Sequence, residues 1–428
     1  MKIKAAPLLL SALLLFGCGP SVNFDKQINE NSNRLYDEGR NSFRYDTFGS
    51  EDFWGGLLKL QDAVKGERLG GVGTGLSPAD ILGLGLKIDK DKVSWGVARS
   101  LTGPDSGPKE TIALLKADAI VGVKGFFDEA GSLKSVGIQC SLCHSIVDDS
   151  ASKGVGSRLD GWPNRDLNMG GIIALAPELD VIAERLSIDT GTLKRVLEAW
   201  GPGRFDSEVL HDGQGFRPDG KTAATLVPAT YGLAGVNSSY TGLGPDSYIN
   251  AYSAITQMRG KGIFFDPRLN DPDHYPIAAR TGDWNIRNSP DLVTSKLAAL
   301  HFYELALPAP RPPEGSFNSQ SAARGREVFE GKARCASCHV PPLYSEPGWA
   351  MHTADEIGID DFQASRSPER QYYRTTPLKG LFARTKGGFY HDGRFPDLAA
   401  VIDHYNDLLG LSLTDEEKAD LKEHLKSL

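Results

Sequence analysis

Apolar residues recur at helical spacing in a few separate stretches of the chain, with polar, glycine-rich connections between them. From Thr190 to Trp200 one face carries Leu193, Val196, Leu197 and Trp200, and Gly201-Pro202-Gly203 stops the helix. Asp397 to Leu409 places Leu398, Val401, Ile402, Tyr405, Leu408 and Leu409 on one stripe. Thr414-Asp415-Glu416-Glu417 is a capping box for a terminal helix that buries Leu421, Leu425 and Leu428. Ser77-Pro78-Ala79-Asp80 starts another helix, with Ser77 as N-cap and Pro78 at the first helical position. Similar patterns predict helices over 109–123, 180–186, 250–258, 292–305 and from Ser319 through Phe329. Leu307-Pro308-Ala309-Pro310-Arg311-Pro312-Pro313 reads as an extended interdomain linker. The predicted fold is therefore all-α and loop-rich.

The start of the chain has a different character. Lys2 and Lys4 precede an apolar run from Ala5 to Phe16, too short to span a bilayer, and Leu15-Phe16-Gly17-Cys18 follows. This is a signal-peptide pattern, and it resembles the bacterial lipobox, in which the cysteine is acylated. Phe16 departs from the usual small or β-branched residue there, so ordinary signal-peptide cleavage stays open as the alternative. Gly19 in place of an aspartate favours the outer membrane. Residues from Ser21 to about Arg44 are polar and read as a tether. A net charge of −8 argues against nucleic acid and suits a basic redox partner.

Cysteine usage carries the chemistry. Four of the 5 cysteines fall in two C-x-x-C-H pentapeptides, Cys140-Ser141-Leu142-Cys143-His144 and Cys335-Ala336-Ser337-Cys338-His339. This spacing attaches a c-type haem: the two thiols add to the porphyrin vinyl groups, and the adjacent histidine reaches the iron. A zinc knuckle would need further Cys or His at ligand spacing nearby, and none is present. Two covalent haem c groups are expected, with His144 and His339 as proximal ligands. Only Cys18 then remains, so no disulfide can form within the chain. The implied division is a signal segment over 1–18, a tether and helical extension over 19–125, a first haem domain with linker over 126–318, and a second haem domain over 319–428.

Three further segments, Thr375-Thr376-Pro377-Leu378-Lys379-Gly380-Leu381, Gly388-Phe389-Tyr390-His391-Asp392-Gly393-Arg394-Phe395 and Val401-Ile402-Asp403-His404-Tyr405-Asn406, resemble the bacterial di-haem cytochrome c peroxidase and MauG superfamily. Gly262 to Leu269 is similar to a further segment of that family. The resemblance is strong over 319–428 and moderate over 126–270. It implies two cytochrome c-like domains, and it puts the distal ligand of the second haem at Tyr405, a methionine in the peroxidases and a tyrosine in MauG-type enzymes. His404 is the neighbouring competitor, and a Tyr405 merely packed on the haem edge is the bland alternative. A phenolate would hold the second haem at a low potential.

The resemblance makes His391 and Arg394 supporting residues, with Asp392 and Arg394 placed to orient His391 and pair with haem propionates. It offers the carbonyls of Thr375 and Pro377 to a calcium ion, although the family's asparagine partner is missing, since Lys221-Thr222-Ala223-Ala224-Thr225 stands in its place. At the first haem the family's dissociable histidine position falls on Asp160, so an open sixth position is implied. Tyr240 loosely matches the family's tryptophan between the haems, with Trp200 and Trp284 as alternatives. Gln257 stands where the family has a glutamate and cannot take a proton from peroxide. Of the remaining histidines, His352 is the one worth testing.

The expected activity is reduction of hydrogen peroxide by electrons from a small periplasmic redox protein, a cytochrome c or a cupredoxin. MauG-like or rubber-oxygenase-like oxidation of an organic or protein substrate is one alternative, and a pure electron-transfer cytochrome is the other. The expected location is the periplasm, through a lipid anchor at Cys18.

Overall fold

The computed structural model describes residues 23–93, 106–236, 246–346, 350–367 and 372–428. Cys18 and Tyr240 lie outside the described residues. Among those described, no helix is long and apolar enough to cross a membrane.

The fold is helix-rich, but it is not all-α: among the described residues six two-stranded ribbons accompany the helices. The largest pairs Val123–Phe127 with Leu133–Ile138, antiparallel, and delivers the chain into the first C-x-x-C-H motif. The predicted helix over 109–123 stops early for this reason. It spans Pro108–Lys116, and the remaining residues turn into the hairpin, whose partner strand lies beyond the reach of local pattern. The helices Asp180–Leu186 and Thr190–Trp200 run as read, and the second ends at Gly201 with φ +66°. In the carboxy-terminal region Ser319–Glu330, Leu398–Leu408 and Asp415–Ser427 form, the last with the predicted Thr414/Glu417 capping box and the first two capped by Asn318 and Asp397.

The expected tether is instead a helix, Phe24–Tyr45, capped by Asn23 and docked along the helix Leu297–Ala306. Its polar composition hid it. Only a narrow face is buried, built from Gly39, Ser42 and Phe43, so a hydrophobic count sees little. Contact is close: a Cβ at Gly39 would stand 2.0 Å from the Ala299 carbonyl oxygen, and this is why a glycine lies there. Tyr36 and Phe43 both pack on the Tyr303 ring, at 5.4 and 5.6 Å between centroids. Arg44 reaches Asp160 at 2.5 Å, and Asp160 also accepts from Ser145 Oγ at 2.8 Å and Tyr303 Oη at 2.5 Å. Asp160 is thus a structural anchor between the extension and the first motif's strand.

One apolar core runs from Phe43 to Tyr303, and it includes the extension together with the first motif. A second core is built from Phe329, Ala333, Leu381, Leu398, Ile402, Leu413, Leu421 and Leu425. The two are bolted together by charge. Arg366, 2% exposed, inserts from the second half of the chain between Asp206 (3.0 Å) and Asp212 (2.6 Å) and donates to the Gln214 carbonyl at 2.9 Å. Arg217 crosses the other way to Asp360 at 2.6 Å and Asp392 at 3.4 Å. Around Arg366 three buried carboxylates face one guanidinium. Burial, with the neighbouring acids, pushes the Asp206 carboxyl up to about 7 despite the arginine, and it raises Glu208 as well.

Replacing Arg366 leaves those carboxylates buried without a cation, so Arg366→Met should lose about 3–5 kcal/mol of unfolding free energy near pH 8. Below pH 7 a carboxyl raised in the folded state takes up a proton there while its unfolded counterpart stays ionised. Protonation therefore favours the folded variant, and the loss should be smaller at pH 5. Urea unfolding at the two pH values reads both effects.

Candidate haem sites

The second motif opens onto a cavity of about 520 Å³. Cys335, Cys338 and His339 line it from one strand of chain, and Tyr405, Ile402 and Leu398 from the helix Leu398–Leu408. The lining is mostly apolar with a few convergent polar groups, as a prosthetic-group site should be. The imidazole of His339 is oriented from behind: its Nδ1 lies 3.2 Å from the Tyr344 carbonyl oxygen. A carbonyl can only accept, so Nδ1 carries the proton and Nε2 keeps a lone pair for a metal. Burial lowers the imidazole to about 4, which keeps it neutral.

The helix stripe settles which side chain faces this space. Tyr405 lines the cavity. His404 turns away, with Nε2 2.8 Å from the Ile357 carbonyl oxygen and its ring on Phe395 at 4.7 Å. His391 is 7% exposed, stacks on Tyr373 at 5.4 Å, and has an Nε2 without a hydrogen-bond partner at the cavity wall. Arg394 is bound at Nε by Asp392 (3.0 Å) and at Nη2 by Asp360, so its charge is spent within the protein.

Two other arginines stand where Arg394 was expected to serve. Arg165 and Arg384 line the cavity, and neither forms an ion pair with a carboxylate among the described residues. Arg165 donates only to the carbonyls of Val227 (2.7 Å) and Lys386 (3.3 Å). Arg384 donates to the Pro377 carbonyl at 2.6 Å, and its Nε has no partner. Burial, then the like charges of Arg384 and Arg204, lowers Arg165 to about 10; burial also lowers Arg384. Two uncompensated cations at the edge of an apolar cavity suit the two propionates of a haem. Together with the unpaired His391 nitrogen and the motif thiols, they show that the residues present fit a covalently held haem. Nothing in the local sequence separates these arginines from the others; their burial without an acid does.

Calcium does not fit. The Thr375 carbonyl accepts from Ser345 Oγ at 2.7 Å, and the Pro377 carbonyl accepts from Arg384. A guanidinium thus supplies positive charge at the place the resemblance reserves for the ion. His352 is likewise engaged, with Nε2 2.5 Å from Glu346 and 3.0 Å from Thr375 Oγ1. It approaches Cys338 and Glu346, and a Cys338 sulfur taken up in a thioether would not serve as a thiolate ligand there.

The first motif is held in the same way. His144 Nδ1 meets the Pro228 carbonyl at 3.1 Å, leaving Nε2 free, and burial lowers this imidazole to about 4. Cys140 Sγ lies 4.0 Å from Met258 Sδ. Gln257 points elsewhere, into a cavity of about 30 Å³ with Trp54, Trp200 and Arg259 that includes no residue of the motif. The π-helical turn Ser253–Gln257 shifts the register and brings Met258 rather than Gln257 to Cys140.

The two sites share a wall. Leu226, Pro228, Ala229 and Tyr231 line the second cavity, while the Pro228 carbonyl holds the first histidine. Trp162 lies beside the first motif, where Gly161 and Asn164 donate to the backbone of His144 and Cys143 at 2.8 Å. Its ring meets Tyr231 at 6.2 Å and Phe382 at 5.9 Å. Trp200 packs on Phe205 and Trp284 on Phe265, so neither joins this contact. Among the described residues the aromatic contact between the two sites is therefore Trp162 with Tyr231, which sequence reading missed.

No family profile matches the chain. Over 88 residues it is 32% identical to the methylamine utilization protein MauG of Methylorubrum extorquens, covering 20% of this chain and 24% of that protein. The chain thus matches about a quarter of the length of this curated relative. Two solved structures are similar over 50% of the chain and 76% of their own: a MauG-like protein associated with microbial copper homeostasis, at 16% identity and TM-score 0.33, and Kuenenia stuttgartiensis hydrazine synthase, at 22% identity and TM-score 0.29. The resemblance to the MauG and di-haem peroxidase superfamily read from the motifs is borne out by the MauG match.

Each motif should hold its own haem. Cys140→Ala/Cys143→Ala and Cys335→Ala/Cys338→Ala proteins should each retain about half of the covalent haem of the parent, measured by pyridine haemochrome per polypeptide.

Proposed function

We propose that this relative of MauG is a di-haem c-type oxidoreductase that reduces hydrogen peroxide with electrons from a small redox protein. The observation that carries the proposal is the asymmetry of the two sites. At the second, His339 and Tyr405 both line one cavity, which suits a haem that both would ligate and that would store and pass electrons. At the first, Asp160 occupies the place of the family's distal histidine and is consumed by Arg44, Ser145 and Tyr303. That leaves the first haem as the reacting centre. Bound there, a haem with an open coordination position supplies the redox chemistry of peroxide cleavage.

The chain's own residues orient, insulate and connect. The Tyr344 and Pro228 carbonyls fix both proximal imidazoles in the metal-binding tautomer. Arg165 and Arg384 hold the propionate edge of the second haem. Trp162 and Tyr231 give electrons a short aromatic path between the sites. Peroxide takes up two electrons and two protons and leaves as two waters, so each turnover draws on the donor twice. MauG-like oxidation of an organic or protein substrate is the second reading, favoured by a tyrosine rather than a methionine facing the second cavity. The covalent haems and the Cys18 pattern support a periplasmic, lipid-anchored protein.

The haem-loaded protein should show a high-spin ferric signal that shifts with cyanide, and it should consume peroxide in step with oxidation of reduced cytochrome c. Two low-spin haems, neither changed by cyanide, would leave only a carrier. Peroxide consumed only when an organic co-substrate is oxidised would select the second reading. In Trp162→Phe, haem content should be unchanged, while reduction of one haem by the other should slow severalfold in stopped-flow absorption.

A further inference from the structure

Tyr390 is the residue of the Gly388–Phe395 turn for which no role has yet been found. It adopts φ +66°, a left-handed conformation that a bulky aromatic residue rarely takes. The turn is closed around it by Phe389 N–H donating to the Phe395 carbonyl at 2.8 Å. Its ring is clamped edge-on against Phe395 at 4.8 Å and against His404 at 6.1 Å. That clamp leaves the hydroxyl at the wall of the second cavity, buried, and with no well-formed hydrogen bond in the chain. The phenol it faces is Tyr405.

A buried hydroxyl that has only the Tyr405 phenol beside it, and no well-formed bond to it, is costly, and a backbone held in an unusual conformation to put it there points to function. An ordinary phenol at Tyr405 would be an indifferent partner. A phenolate bound to iron would be a strong one, because an anionic oxygen draws a neighbouring donor. We propose that Tyr390 donates its O–H to the Tyr405 oxygen when that oxygen ligates the second haem, and so sets the potential of that haem as a positioning residue. The inference rests on the reading of Tyr405 as the ligand. Donation withdraws charge from the oxygen that stabilises ferric iron, so the second haem is easier to reduce than a bare phenolate would leave it. His391 Nε2 is also unpartnered at this wall, but its ring is fixed in parallel stacking on Tyr373, at 13° between planes, and the unpartnered Arg384 Nε belongs to a guanidinium held by the Pro377 carbonyl.

The test is Tyr390→Phe in the full-length, haem-loaded protein, which keeps the ring and its packing. Its second haem should fall in midpoint potential by about 59 mV, a tenfold change in the one-electron equilibrium, and its tyrosinate charge-transfer band should move to lower energy. In the parent protein the phenolate C–O stretch should shift in deuterated solvent, and in Tyr390→Phe it should not. An unchanged potential and band, or an isotope shift that survives the substitution, overturns the proposal. Failure of the ligand reading looks different: the parent would lack the charge-transfer band, or the band would persist in Tyr405→Phe. Thermal melting matched to the parent confirms that the phenylalanine variant is folded.

Discussion

One carbonyl group, that of Pro228, couples the first motif to the wall of the second motif's cavity. It holds the imidazole of His144 at 3.1 Å, on a segment whose neighbours Leu226, Ala229 and Tyr231 wall the second cavity. A proline suits the place, because it offers an acceptor and no donor and keeps the backbone extended. The segment cannot shift toward one site without disturbing the other. Arg165 grips it again through the Val227 carbonyl, and Leu226 N–H binds the His391 carbonyl at 2.7 Å across the domain boundary.

Around that strap the boundary is polar and buried, which makes it specific. Arg366 among Asp206 and Asp212, and Arg217 with Asp360 and Asp392, fix the relative placement of the cores by directional, charge-assisted contacts. Such pairs contribute less net stability than an apolar seam of equal area, but they tolerate few alternative arrangements. The two motifs are thereby held at one separation, and Tyr231 lies close enough over Gly380 to donate to its carbonyl at 2.7 Å. Gly380 takes φ +68°, and a Cβ there would meet the Tyr231 ring at 2.7 Å.

The amino-terminal extension belongs to the same device. Its first helix covers Leu297–Ala306 and sends Arg44 to Asp160, which Ser145 and Tyr303 also hold. The extension reaches the first motif again where Ser141 Oγ donates to the Arg44 carbonyl and Trp54 Nε1 donates to the Met258 carbonyl at 2.9 Å.

The local sequence determined the haem chemistry and much of the helical frame. Covalent attachment depends on residues a few positions apart, and caps such as Thr414 with Glu417 and Asp189 with Thr192 are closed within one turn. The stripe on Leu398–Leu408 likewise put Tyr405 inward before any coordinates did. Tertiary structure decided everything whose partner lies far along the chain: the hairpin before the first motif, the helix hidden in the polar amino terminus, the π turn that sets Met258 beside Cys140, and the bond from Arg384 to the Pro377 carbonyl. It also set Arg165, and not Arg394, at the cavity without a carboxylate partner among the described residues, and put Trp162, and not Trp200 or Trp284, against Tyr231. An arginine or a tryptophan reads the same in sequence wherever it stands; only its surroundings show whether its charge is already neutralised or its ring lies between two sites.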